Sequence, residues 1–269
     1  MSPHVEPLVR RIAHEPLRRA LTVTRVVELS PTMRRVVLAG PDLEADFPFV
    51  PLAAADHVKV VLPDEDTGTL VMPEAGPAGL ARPDGRPVVT RDYTPRAYDS
   101  AAGELTLDFV LHDHGPAGRW GLAAAPGDPL GVMGPRGSQV YPDRLGHYVL
   151  VADETGVPAL ERFLEELPAG TAVDAVVFSA GGRTGDLAAR EGLDLRWENG
   201  DDLQTAAARA ADLVGELELT EDSFVFGAGE ASVMRALRTR LRRHPALSVD
   251  RIAVRGYWRV GVAGALPTD

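Results

Sequence analysis

"HYVLVADETGVPALERFLEEL", residues 147–167, decides how the chain is built. "HYVLVA" is apolar without alternation, as expected of a strand covered on both faces, and "VPALERFLEEL" directly behind it has helical spacing. A covered strand followed at once by a helix is the unit of a parallel sheet. The pattern continues with "VDAVVFS", "LDLRW", the helix candidate "DDLQTAAARAADLVGEL", the strand "SFVFGAG", the helix "EASVMRALRTRLRR" and a last strand "RIAVRGYW". The second half therefore reads as an α/β domain.

Upstream the texture differs. "LTVTRVVEL" and "MRRVVLAG" flank a turn at Ser30 and Pro31, "DHVKVVL" follows a Pro-rich connection, and "ELTLDFVLH" alternates with Leu105, Leu107, Phe109 and Leu111 on one face. Short strands, Pro and Gly turns and no long helix before Pro116 predict a small antiparallel barrel. "MPEAGPAGLARPDGRP", residues 72–87, reads as an exposed loop. The change falls in "YPDRLG", residues 141–146, which predicts one domain over 1–142, with an N-terminal extension, and a second over 143–269.

Composition narrows the chemistry. The chain has 269 residues, a length suited to two domains, and a formal charge of -11, which argues against nucleic acid or anionic lipid as a general partner. There is no cysteine, so disulfides, thiolate-held iron–sulfur clusters and cysteine nucleophiles are excluded, and redox chemistry would need a bound organic cofactor. Neither a signal peptide nor a membrane span is expected, and the cytoplasm is the default address. Of the 28 basic residues only Lys59 is a lysine.

"RDYTPR", residues 91–96, sets two permanent cations around one phenol. Paired arginines suit a phosphate, and a tyrosine ring suits a flat aromatic partner. Taken alone, the stretch also fits a strand with solvated arginines and a packed tyrosine. "HGPAGRW", residues 114–120, places small residues ahead of a helix whose free N–H groups could meet an anion, or forms an ordinary turn. His112 and His114 stand two apart without a third ligand nearby, so no metal is expected.

An antiparallel barrel ahead of a nucleotide-binding-type α/β domain is the layout of the ferredoxin-reductase superfamily. "RDYTPR", "FVLH", "GPAGRW", "PGDPLGVMGPRGS", "VADETGVPA", "GAGEA" and "GYWRVG" stand in the order found in the siderophore-interacting proteins. The chain resembles that family, which comprises FAD-dependent ferric-siderophore reductases, from about Leu21 to Gly261. The resemblance implies a two-domain fold, a flavin-binding β-barrel followed by a nicotinamide-nucleotide-binding domain. It implies that Arg91 and Arg96 pair with FAD phosphates or ribityl oxygens, that Tyr93 lies against the isoalloxazine, and that Thr94 stands near N5, the catalytic position. It assigns Phe109, Val110, Leu111 and His112 to the cofactor along the strand end, and Gly118, Arg119 and Trp120 to its pyrophosphate.

In the second domain the resemblance implies that Thr155 and Gly156, with Gly227, Gly229 and Glu230, receive NADPH or NADH. Asp153 or Thr155 as an N-cap before Pro158 fits the same residues. "VFSAGGRTGD", residues 177–186, departs from the family in lacking its acidic residues, and Arg183 there is either a contact for a 2'-phosphate or a solvated loop arginine. A ferredoxin is the alternative donor. The substrate implied is an anionic ferric siderophore, met by Lys59, Arg136 and Arg259. Lys59 fits equally a lysine guarding a sheet edge. Tyr257 and Trp258 either shield the flavin or pack the last strand. A monomer is expected.

Overall fold

The computed structural model describes residues 7–43, 47–76, 79–180 and 187–262. They fall into two compact units. One holds residues 12–50 and 55–138; the other holds the residues up to Arg11, Pro51–Ala54, and the chain from Gln139 onward.

Seven strands build the sheet of the first unit: β2 (Arg18–Ser30), β3 (Met33–Ala39), β4 (Val58–Val61), β7 (Thr90–Tyr93), β8 (Pro95–Asp99), β9 (Glu104–Val110) and β10 (Pro129–Met133). Their order is β7-β4-β10-β2-β3-β9-β8, and every pairing is antiparallel. Alternation does the sorting. Leu105, Leu107 and Phe109 of β9 are fully buried, as are Val58 and Val60 of β4. The two edge strands are consecutive in the chain and separated only by Thr94. A sheet whose first and last strands share one intervening residue has to curl until its ends meet there, which gives a half-barrel with Thr94 at the seam.

Two details of this unit depart from the sequence reading. The stretch 72–87 is not simply loop: β5 (Glu74–Gly76) and β6 (Gly79–Ala81) pair as a short ribbon, and Arg18 Nη1 donates to Pro73 O at 2.8 Å. Met72 also lies over Gly131, where an added Cβ would stand 2.4 Å from its Sδ. Nor is β4 an edge strand, since it lies between β7 and β10. That removes edge protection as an account of Lys59. The interior carries a cation of its own, because Arg19 is 1% exposed, donates to Gly134 O at 2.8 Å and stacks on Phe47 at 4.9 Å. Strands β1 (Arg10–Ala13) and β11 (Gly137–Val140) form a separate ladder.

The second unit is a five-stranded parallel sheet of β12 (His147–Ala152), β13 (Ala172–Ser179), β14 (Leu193–Asn199), β15 (Ser223–Glu230) and β16 (Ile252–Trp258), in the order β14-β13-β12-β15-β16. Helix α2 (Val157–Glu166) follows β12, α3 (Leu203–Glu216) follows β14 and α4 (Ala231–Leu241) follows β15, while no helix lies among the described residues between β13 and β14. α3 buries Ala206, Ala207, Ala210 and Val214, a small-residue face that lets it close on Val176 and Phe178. The chain leaves β12 toward β13 and returns to its other side with β15. That reversal opens a crevice at the strands' carboxyl ends, where ligands of such sheets bind.

One buried ion pair ties the Pro51–Ala54 segment into this unit. Arg162 on α2 is 1% exposed, bonds Glu166 at 2.7 Å and donates to Ala53 O at 3.1 Å, while Glu166 also accepts the Leu52 N–H. Leu52 has φ of 58°, a conformation rarely taken by a leucine. Its amide and carbonyl are both held, the latter by Tyr141 N at 2.9 Å.

Candidate functional site

The first half-site gathers where β7, β9 and α1 (Pro116–Ala123) meet. Tyr93 packs against Phe109 at a tilt of 33° with ring centroids 4.2 Å apart, and Phe109 continues to Trp120 at 5.1 Å. Burial pushes the Tyr93 phenol well above its ordinary range, against a smaller downward pull from Arg91. The hydroxyl therefore stays protonated and can act only as a neutral hydrogen-bonding group. Arg91 is half-buried and bonds its neighbouring carbonyl, Thr90 O, at 2.7 Å. Thr94 and Arg96 are buried at 7% and 6% exposure, so Arg96 is not a solvated surface arginine.

Gly115 stands at the N-cap of α1, with Pro116 in the first turn and no side-chain cap. Its first amides therefore have no carboxylate or hydroxyl to satisfy them, and the helix dipole adds positive potential. Two glycines make this approach possible. A Cβ on Gly118 would lie 2.4 Å from His112 O and 2.6 Å from its ring, and one on Gly115 would lie 3.2 Å from the same ring. Gly121 faces Phe109 at 3.1 Å in the same way. His112 is exposed, and partial desolvation, assisted by His114, holds its imidazole below the usual range, so it is neutral near pH 7. The rings of His112 and His114 are 6.3 Å apart, and His114 points to Asp113 on the surface. Among the described residues no cluster could hold a metal ion.

The remaining candidates of this unit are placed unequally. Val110 and Leu111 are half-buried, with Leu111 N bonded to Thr32 O at 2.8 Å. Trp120 packs on the core through Phe109. Arg119 turns away, donating to Asp113 O at 3.1 Å and pairing with Glu65 at 2.7 Å. An anion-seeking, uncapped helix start over a glycine cradle, beside a half-buried arginine and a desolvated phenol, suits a phosphate-bearing cofactor with a flat ring. FAD fits that set.

The second half-site lies at the carboxyl ends of β12, β15 and β16. Asp153, 2% exposed, caps the 3-10 turn Glu154–Gly156. Its Oδ1 accepts from Thr155 N at 2.9 Å and Thr155 Oγ1 at 2.6 Å, and its Oδ2 accepts from Glu230 N and Trp258 Nε1, both at 2.8 Å. Burial pushes this carboxyl up, opposed by those donors. Burial likewise raises Glu154, whose Oε1 accepts from Ser179 Oγ at 2.5 Å. Glu230 caps α4 through Ser232 N at 2.7 Å and Val233 N at 3.1 Å. Its burial pushes upward too, but these bonds outweigh it and hold the group low.

Gly156 and Gly229 are required by contact. A Cβ on Gly156 would stand 2.6 Å from Ala228 O, and one on Gly229 would stand 2.6 Å from Asp153 Oδ2. Gly227 is less tight, its nearest neighbour being Val254 at 3.1 Å. Arg183 and most of the altered loop lie outside the described residues. The cap at Asp153 was legible from its place before Thr155 and Pro158. Its bonds to Glu230 and Trp258 were not, because they join residues 77 and 105 positions apart.

The three cations assigned to substrate differ in availability. Lys59 faces Asp92 across β4 and β7 with Nζ 2.7 Å from Oδ1, so its charge is already paired. Arg136 and Arg259 are exposed. Trp258 is half-buried, and its indole is used by Asp153.

Residues 22–139 match the profile of the siderophore-interacting FAD-binding domain, and residues 145–261 match that of the siderophore-interacting protein. An "NADPH-dependent ferric-chelate reductase" of Escherichia coli is 35% identical over 256 residues, covering 93% of this chain and 96% of that one. A "ferric vibriobactin reductase" of Vibrio cholerae is 29% identical, covering 90% of each. A siderophore utilization protein from T. fusca superposes with a TM-score of 0.84 at 37% identity, over 96% of this chain and 98% of that one.

Proposed function

We propose, from the premise that this chain belongs to the siderophore-interacting protein family, that it is an FAD-dependent ferric-siderophore reductase driven by NADPH or NADH. The observation that carries the reading is the uncapped start of α1 over the Gly115 and Gly118 cradle, beside Arg91 and Tyr93. When bound, FAD would supply the two chemistries the reaction needs, acceptance of one hydride (two electrons) from the nicotinamide and release of those electrons one at a time to iron(III). Arg91 and the α1 amides would neutralise its pyrophosphate. Tyr93, packed against Phe109, would cover the ring, and Thr94 at the seam would place a hydroxyl and an amide near the reacting edge. Arg96, buried beside them, would complete the set of cations. The protein needs no strong general acid for this task. Iron(II) is held far less tightly by hard oxygen donors, so reduction alone loosens the chelate.

Thr155, Gly156 and the Gly227–Glu230 turn would receive the nucleotide. Two helix starts of the second unit are capped by an acid of this chain, α3 by Asp202 and α4 by Glu230, and Asp153 caps the 3-10 turn before α2. α2 itself starts at Gly156 without a side-chain cap, so that start, like the start of α1, could meet a pyrophosphate. No described helix is long and apolar enough to cross a membrane. The reading puts the protein in the cytoplasm, as a monomer, beside the pools of reduced nucleotide.

An anionic ferric siderophore approaching a protein of charge -11 requires a local cation, and Arg136 and Arg259 are the exposed ones assigned. Reversing both (Arg136→Glu with Arg259→Glu) is expected to raise KM for a ferric catecholate about tenfold, an effect of about 1.4 kcal/mol, with an uncharged dye reduced as before. Iron(II) capture by a chromogenic chelator measures the first and dye bleaching the second. Equal losses on both substrates, or wild-type protein that reduces the dye and leaves the ferric siderophore untouched, would speak for a flavin reductase with another acceptor.

A further inference from the structure

Two consecutive acids at the end of β12 reach every neighbouring strand end in the second unit. Asp153 takes the last residue of β15 through Glu230 N and the last residue of β16 through the Trp258 indole. Glu154 takes the last residue of β13 through the Ser179 hydroxyl. The network extends one step further, since Glu230 accepts from Val260 N at 3.4 Å and so reaches the segment carrying Arg259. Gly229 is the space that makes this possible, because any side chain there would enter the Asp153 carboxylate.

We propose that Asp153 and Glu154 form a positioning clamp that fixes the Gly227–Glu230 turn, Ser179 and the Trp258 ring around the donor nucleotide, so that the nicotinamide is presented in one geometry. This rests on the reading of the second unit as the donor-nucleotide unit. The two acids are not equivalent. Four donors converge on Asp153, two on each oxygen, so an isosteric amide must turn an NH2 toward two of them. Glu154 accepts one hydroxyl, which an amide oxygen serves equally well. Asp153→Asn is therefore disruptive where Glu154→Gln is conservative.

The test combines a spectroscopic signature with a rate. The chain has three tryptophans, and the indole N–H resonance of Trp258 in 15N-labelled protein is identified by its loss in Trp258→Phe. Asp153→Asn is expected to move that resonance and to lower the limiting rate of anaerobic flavin reduction by NADPH or NADH at least tenfold. The nucleotide dissociation constant should change less than threefold, because misplacement by about 1 Å costs rate more than binding. Glu154→Gln should remain within twofold of wild type and Glu154→Ala should not. Trp258→Phe, which leaves the carboxylate in place, should lower the same rate at least threefold and covers the case in which Asp153→Asn does not fold. An unmoved resonance, or a moved resonance with an unchanged rate, overturns the clamp. If neither nucleotide bleaches the wild-type flavin, the donor reading has failed, and the resonance alone then decides whether Asp153 holds Trp258.

Discussion

Gly118→Val is expected to yield a folded protein that purifies without flavin colour. The added side chain begins 2.4 Å from His112 O, and a backbone carbonyl cannot rotate away as a side chain can. Its position is also tied at the next residue by the Leu111–Thr32 bond upstream and by the Arg119 contact to Asp113 O downstream. α1 must therefore lift, taking its first amides off the anion position. Overpacking of this kind costs about 1–3 kcal/mol. Expressed in cofactor affinity, that is roughly a tenfold to hundredfold rise in the FAD dissociation constant, read by fluorescence titration. Gly118→Ala should show the same direction at smaller size, because the first carbon already collides. Undiminished FAD affinity in the valine variant would mean that the start of α1 is not where the pyrophosphate sits.

A comparable loss, this time of stability, is expected for Arg162→Ala. The guanidinium is 1% exposed and is the partner of Glu166, which also receives the Leu52 amide. Removing the cation leaves a carboxylate with low exposure and no counter-charge, which costs about 3–5 kcal/mol. The Pro51–Ala54 segment loses the Arg162 bond to Ala53 O as well, at a point where Leu52 occupies an unfavourable backbone conformation. Urea unfolding followed by circular dichroism should show an early transition for the parallel-sheet unit. Arg162→Met combined with Glu166→Gln should recover most of the loss, since no charge is then left unpaired. A single variant within about 1 kcal/mol of wild type would show that the pair contributes little.

The parallel unit was legible because its signals are local. "HYVLVA", "VDAVVFS" and "SFVFGAG" carry no polar alternation, and the first and last are followed at once by helical spacing, so strand, helix and connection could be read in place there. The alternating face of β9 was legible for the same reason. The register of the antiparallel sheet was not. Nothing near Lys59 shows that β7 will set Asp92 opposite it, and nothing near Arg162 shows that a helix residue of this kind will be buried to hold a segment more than a hundred positions away. The ribbon at 74–81 was hidden by composition, because Gly and Pro mark turns whether or not short strands form between them. At the site, single residues such as Tyr93 and Asp153 stood out by type. What they touch depended on β7, β9, β15 and β16 being brought together by the fold.

One cofactor, held by the half-barrel unit, is proposed to carry electrons from a reduced nucleotide to chelated iron. The most direct test is an anaerobic visible spectrum of the FAD-loaded protein, recorded on addition of NADPH or NADH and again on addition of a ferric siderophore. Bleaching of the flavin bands is expected, then their return with about two iron(II) released per flavin, the stoichiometry of one two-electron carrier serving a one-electron acceptor. Flavin that bleaches and is not reoxidised by the ferric siderophore, or protein that binds no FAD at all, would contradict it.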